Sequence, residues 1–290
     1  MKTSLITVGV SIALASSMGT AVAGGDSPFY LTGGLQNSNF DLNINTAGIS
    51  VDDSASGFNL AVGYEINDNW SIEGGYSDIG EIGASASAAG STTYSGKTLT
   101  YNGSIDLKVD SDAFTLAPVF TYQASDKLYL HATAGMMWWD ADATLTGNAQ
   151  YTYDGTTTAA NETYTAKADG EDGFYGAGAT YAIGGATLGY QVSNDSVNER
   201  TGINHYDNQA YGVSFAVNDD LTLSYGMHKS KQNHTNAAKN AELEASSIQV
   251  SYSMGGATFK LAQTDVDHGA YDSSTATDRS GTTLVLSLAF

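Results

Sequence analysis

The chain has 290 residues, 31 Asp and Glu against 11 Lys and Arg, a formal net charge of -20 and no cysteine. That balance excludes nucleic acid as a partner, because phosphate recognition needs a basic surface, and the lack of cysteine excludes a disulfide framework. The 18 Tyr, 9 Phe and 33 Gly against 2 Pro suit strands and tight turns, and a near-neutral mean hydropathy is the average of a wall whose residues face lipid and water alternately.

The first 23 residues read as a cleaved export signal. Lys2 supplies the positive start, 5–15 is a short apolar stretch, and Ala21-Val22-Ala23 is a small-x-small cleavage site. Cleavage after Ala23 leaves a mature unit, 24–290, read as one domain. No run approaches the ~18 apolar residues that a spanning helix needs.

Period-two alternation then recurs in about twelve segments. Segment 28–39 sets Phe29, Leu31 and Leu35 on one face, and 56–66 sets Phe58, Leu60, Val62, Tyr64 and Ile66. Next come 70–78 (Trp70, Ile72, Tyr76), 112–122 (Phe114, Leu116, Phe120, Tyr122), 127–140 (Leu128, Leu130, Met136, Trp138) and 173–183 (Tyr175, Tyr181, Ile183). The second half continues with 186–193, 210–217, 221–229, 245–253 and 257–264, and ends on Leu284, Leu286, Leu288 and Phe290. Short turns at 67–69, 124–126, 184–185, 218–220 and 255–256 alternate with longer polar stretches at 40–55, 79–111, 146–171, 194–208, 230–243 and 266–280, which read as loops. Pro118 falls mid-strand, where a missing N–H predicts a bulge or local irregularity.

Short turns alternating with long loops are the rhythm of a membrane barrel. Lipid satisfies no backbone N–H or C=O, so a sheet persists there only if it closes. The expected fold is therefore all-β: a transmembrane, up-and-down antiparallel β-barrel of about twelve strands, with 10 and 14 as the alternatives. A soluble two-sheet sandwich does not call for aromatic residues at strand ends on the outer face, where Tyr64, Trp70, Tyr122 and Tyr225 fall.

Two stretches carry family resemblances. Gly57 to Ile66, followed by Asn67-Asp68-Asn69-Trp70 and Glu73-Gly74-Gly75-Tyr76, resembles the OmpA-like β-barrels. Tyr211-Gly212-Val213-Ser214, Ser251 to Thr258 and the ending Leu284 to Phe290 resemble general bacterial porins, especially alphaproteobacterial ones. The resemblance implies a Gram-negative outer-membrane location, assembly by the barrel-assembly machinery with Phe290 as the signal, and diffusion of small solutes. The sequence lacks a clear acidic constriction-loop motif of classical porins, and about twelve strands fall between the eight of OmpA-like barrels and the sixteen of porins.

The inward set is small and polar, which leaves volume in the lumen. Among it Glu65, Glu73, His131, His228, Lys260, Gln249, Thr133 and Ser224 are the candidate pore-lining residues. Charge inside a barrel requires water or a partner, and Lys260 is a candidate partner for Glu65 or Glu73. The expected function is a passive channel for small hydrophilic solutes or ions, cation-preferring because of its acids. The alternative is a non-conducting structural or adhesive barrel displaying its loops. The expected partners are outer-membrane lipid and lipopolysaccharide, and the apolar outer face leaves room for a homo-oligomer. No enzyme is expected: no G-x-S-x-G elbow accompanies His131, His205, His228, His234 or His268. No cofactor or metal is expected either, since the loop acids Asp265, Asp267 and Asp272 have irregular spacing.

Overall fold

The computed structural model describes residues 28–41, 49–51, 54–197, 202–254, 257–271 and 278–289. Its strands are β1 (Phe29–Asp41), β2 (Ile49–Val51), β3 (Ser54–Asn67), β4 (Trp70–Asp78), β5 (Ile82–Tyr94), β6 (Lys97–Ser125), β7 (Leu128–Tyr153), β8 (Thr156–Ile183), β9 (Ala186–Ser196), β10 (Ile203–Ala216), β11 (Leu221–His234), β12 (Ala241–Met254), β13 (Ala257–Asp267) and β14 (Arg279–Ala289). The proposed signal 1–23 and Phe290 lie outside the described residues.

Twelve of these strands close a barrel. β1 pairs with both β3 and β14, β6 pairs with both β4 and β7, and the order β6-β4-β3-β1-β14-β13-β12-β11-β10-β9-β8-β7 returns on itself. Every pairing is antiparallel. The other two strands lie beyond the barrel wall: β5 pairs with β6, and β2 pairs with β5.

The alternation places side chains as a bilayer requires. Phe58, Leu60, Val62, Tyr64, Trp70, Ile72, Phe114, Leu116, Leu188, Tyr190, Val213, Phe215, Leu223 and Phe259 are all exposed on the outer surface. Their neighbours in sequence, mostly Gly, Ala, Ser and Thr, face inward. Outer aromatics pair at both ends of this belt. Phe29 lies 4.9 Å from Tyr64, and Trp70 lies 5.0 Å from Phe120, near the short turns. At the opposite end Phe114 lies 5.7 Å from Trp138, and Tyr76, Phe114 and Trp138 are direct cross-strand neighbours.

The segments expected to be long loops are largely strand, which corrects the sequence reading. Stretch 79–111 contains β5, a turn at Ser95-Gly96 and the first half of β6, while 146–171 is the paired end of β7 and β8. All 26 residues of β7 pair with β8 without a register shift. That is roughly 85 Å of strand at ~3.3 Å per residue, whereas about 10 residues cross a bilayer. The hairpins close through Ser95-Gly96 and Asp154-Gly155, all four residues at positive φ (50° to 76°), the geometry that matches strand twist in a two-residue turn. The remaining loops are shortened in the same way: β9 reaches Ser196, β11 reaches His234 and β13 reaches Asp267. Of the short turns, 255–256 lies outside the described residues.

At Pro118 the expected irregularity takes the form of a lapse in pairing and not of a bulge. Pairing of β6 with β7 lapses between Leu116↔Met136 and Val119↔Thr133, yet the register is the same on both sides. Pro118 is directly paired with Ile72 on the β4 side. Its carbonyl accepts a hydrogen bond from Thr133 Oγ1 at 3.1 Å, so a side chain serves the backbone group beside the proline. The register shift on this strand lies at the short turn, between Gln123 and Ser125.

Above the outer aromatic row the phase of the alternation inverts. Two residues beyond Tyr76, Phe114 and Trp138, the outward positions become Asp78, Asp112 and Asp140, joined by Asp169 as direct neighbours across β4, β6, β7 and β8. Farther up, outward positions stay polar, with Asp110, Asp142 and Lys167 in one row. Inward positions turn apolar over the same stretch, with Leu107 opposite Leu145 and Leu145 opposite Tyr164. Like charges in direct cross-strand contact are unfavourable, and burial together with Asp140 and Asp78 pushes the Asp112 carboxyl above its ordinary range.

Candidate pore lining

The strand register puts all eight candidate residues on the inner face. They do not form one cluster. Glu65 and Glu73 lie on β3 and β4, on either side of the short turn that joins these strands, with Ser71 directly opposite Glu65. Tyr30 of β1 completes this acidic group: its hydroxyl donates to Glu73 Oε1 and lies 3.4 Å from Ser71 Oγ. Lys260 does not join it. Lys260 sits on β13 opposite Ser251 and Val285, two strands from β1, and among the described residues it forms no ion pair. The expected bridge to Glu65 or Glu73 is therefore not made, because β1 and β14 separate the groups.

Ser224 and Gln249 are direct neighbours on β11 and β12, and Ser214 lies on the other side of Ser224. Together they make a neutral polar band. His228 is half-buried between Ala210 and Ala245. Thr133 is engaged with the Pro118 carbonyl. The ring of His131 lies over Gly178, in the space a Cβ there would fill.

That last arrangement recurs, and residue types alone did not reveal it. Tyr30 covers Gly63, Tyr101 covers Gly90, Trp139 covers Gly170 and Phe174 covers Gly135, each ring above the glycine directly opposite in the ladder. A ring opposite a missing side chain folds flat against the sheet and shields its hydrogen bonds. Large inward side chains thus coat the wall.

Residues missed from sequence gather at the long-hairpin end. Trp139 Nε1 donates to Asp172 Oδ2 at 3.0 Å, both buried. Asn208 Nδ2 donates to Asp195 Oδ2 at 2.8 Å, while its Oδ1 accepts from Ser230 Oγ at 2.6 Å. Ser230 Oγ also lies 2.7 Å from the Tyr271 hydroxyl, and Gln232 Nε2 donates to the Tyr206 hydroxyl at 2.8 Å. Tyr271 ends a one-turn 3-10 segment, Gly269–Tyr271, which packs on β12, and its ring lies 5.3 Å from that of Tyr206. Tyr206, Leu243 and Tyr271 form a small apolar cluster beneath this network. Asp195 lies beyond the outward apolar run of β9 that ends at Val192. Burial and nearby Asp172 push its carboxyl up to about 6, and the Asn208 hydrogen bond opposes them. Among the described residues no group of three or more His, Cys, Asp or Glu is placed to hold a metal ion.

A family model described as the outer membrane protein β-barrel domain matches residues 8–218. The chain belongs to this family. The outer-membrane barrel fold extends beyond the matched stretch, since β11 to β14 complete the closed sheet. Among solved structures, an outer-membrane channel from Pseudomonas putida F1 is similar over 93% of this chain and 100% of its own, at 8% identity and a TM-score of 0.55. The translocator domain of the autotransporter NalP from Neisseria meningitidis is similar over 99% and 98%, at 9% identity and a TM-score of 0.49. The CymD monoaromatic hydrocarbon channel is similar over 91% and 87%, at 11% identity and a TM-score of 0.47. The first of these likenesses shows the fold alone. No curated protein sequence matches this chain. In the orientation of outer-membrane barrels, the short turns are periplasmic and the long hairpins extracellular.

Proposed function

We propose that the barrel is a passive diffusion channel for small hydrophilic solutes or ions and that it prefers cations. The observation that carries this reading is the inner face of the spanning zone. It is built from Gly, Ala, Ser and Thr with a few charged or amide side chains, and its rings lie flat over glycines. Small inward residues leave a lumen that water fills, and isolated groups such as Lys260 are tolerable only where water reaches them. Cation preference rests on Glu65 and Glu73 near the periplasmic mouth and on the net charge of -20. Export with cleavage after Ala23, recognition of Phe290 by the assembly machinery and contact with lipopolysaccharide belong to the same proposal.

The test is current through the chain reconstituted in a planar bilayer under a salt gradient. Discrete conductance steps with a cation-side reversal potential support the proposal, and Glu65→Gln with Glu73→Gln moves that potential toward zero. Anion preference rejects the charge assignment. Absence of any conductance rejects the channel and favours a structural or adhesive barrel.

A further inference from the structure

The sheet that stands above the membrane carries an apolar face no membrane covers. Rows of direct neighbours run across β5, β6, β7 and β8: Ile82–Val109–Ala143–Ala166, then Ala84–Leu107–Leu145–Tyr164, and nearer the tip Gly90–Tyr101–Tyr151–Thr158. Ile105, Leu107, Leu145, Tyr101, Tyr151 and Tyr164 are all exposed, Tyr164 by 64%. An exposed apolar face of this extent in water marks a binding surface.

Three features state what it binds. The face continues the inner wall of the barrel, because the parity that points into the lumen at Trp139 and Met137 is the parity that carries Ala141, Ala143 and Leu145 above them. What adheres to it therefore stands over the mouth. Charge is segregated: Asp106, Asp110, Asp112, Asp140, Asp142 and Asp169 all take the opposite face. The charged groups left on the inner face are Glu162 and Lys97, and Lys97 is paired with Asp154 beside the tip turn. The surface thus complements a neutral, apolar-faced molecule and offers little to an ion.

The geometry points to an extracellular capture surface that gathers neutral solutes with an aromatic or other apolar face and delivers them to the lumen. This deepens the channel reading and rests on it. The flat rows of alanine admit a planar ring, while the tyrosines nearer the tip add ring faces and hydroxyls suited to a solute that is only partly apolar.

The experiment compares phenyl β-D-glucoside with methyl β-D-glucoside, added on the extracellular side of the reconstituted chain in a planar bilayer. The phenyl compound is expected to interrupt the current at about tenfold lower concentration, the gain from burying one ring face. The double variant Leu107→Ser with Leu145→Ser, two directly paired exposed positions, is expected to erase that difference in a channel that still conducts. Asp106→Asn on the opposite face is expected to preserve it. Equal interruption by both glucosides in a conducting channel overturns the capture surface and leaves the channel standing. A difference that survives the double variant also overturns it, as does a stable dimer in detergent that loses its association in the double variant. If the wild type carries no current, the channel reading falls and the surface is tested by titration calorimetry of the purified chain with phenyl β-D-glucoside. Heat that the double variant loses upholds binding there, and no heat overturns it.

Discussion

Trp139 donates its indole N–H to Asp172 at 3.0 Å while its ring lies over Gly170, so one side chain both covers the sheet and serves a buried carboxyl. Trp139→Phe keeps most of the cover and removes the donor. The expected loss is about 1–3 kcal/mol, the cost of leaving a buried acceptor short of a partner, read from urea unfolding in lipid bilayers. A Trp139→Phe variant as stable as the wild type, with the whole loss appearing only in Trp139→Ala, would show that the hydrogen bond contributes nothing beyond packing.

Tyr30 and Gly63 offer a cleaner test of the flat-ring arrangement. A Cβ at residue 63 falls within the Tyr30 ring, so Gly63→Val must expel it from the wall and break its contact with Glu73. We expect a destabilisation of about 1–3 kcal/mol. Gly63→Val combined with Tyr30→Ala should cost clearly less than the two single changes summed, because the clash disappears with the ring. Additive effects in the same unfolding measurement would refute the coupling.

The buried carboxyl of Asp195 makes stability depend on pH. Its value in the folded chain, about 6, lies above the ordinary 3.8. The folded state therefore holds this proton more tightly than the unfolded state. The resulting stabilisation is complete below about pH 4 and is lost as pH rises through about 6. Asp195→Asn should flatten the stability curve between those limits and leave the variant more stable than the wild type at pH 7. Thermal unfolding from pH 4 to 8 checks the sign; a wild-type advantage that grows toward pH 7 contradicts it.

Tyr271 is tied to the inner wall through Ser230 and packs on Tyr206. Tyr271→Phe removes one buried hydrogen bond, about 0.5–1.5 kcal/mol, and loosens the segment Gly269–Tyr271 at the extracellular mouth. Single-channel records should then show more frequent brief closures with the open-state conductance unchanged. Identical gating in the two proteins would mean that this segment does not bear on the current.

The twelve-stranded barrel was legible because large apolar residues and small polar ones alternate within each spanning stretch, as from Phe58 to Ile66. The hairpin extensions were not, because their alternation runs through Ser, Thr, Ala and Gly with the faces exchanged. Ile105, Leu107 and Val109 keep the period and reverse its sense, so a reading keyed to lipid-facing residues took 79–111 for a loop. Tyr30 and Trp139 were overlooked because each sits beside an outward aromatic, Phe29 and Trp138, that drew the reading to the lipid face. Asn208, Ser230 and Gln232 lie in stretches whose polarity suggested solvent, and only the closed sheet turns them inward. Glu65 and Lys260 were each placed on the inner face from parity, but the number of strands between them is a property of the closed circuit.

The acid row above Tyr76, Phe114 and Trp138 fixes how deep the cylinder floats. Sinking it by a single pair of residues would draw Asp78, Asp112, Asp140 and Asp169 into hydrocarbon together, a penalty that multiplies across neighbouring staves. Rising by the same step would lift aromatic rings out of the headgroup layer. The protein carries its own waterline, drawn in carboxylates on the side where the wall stands tallest.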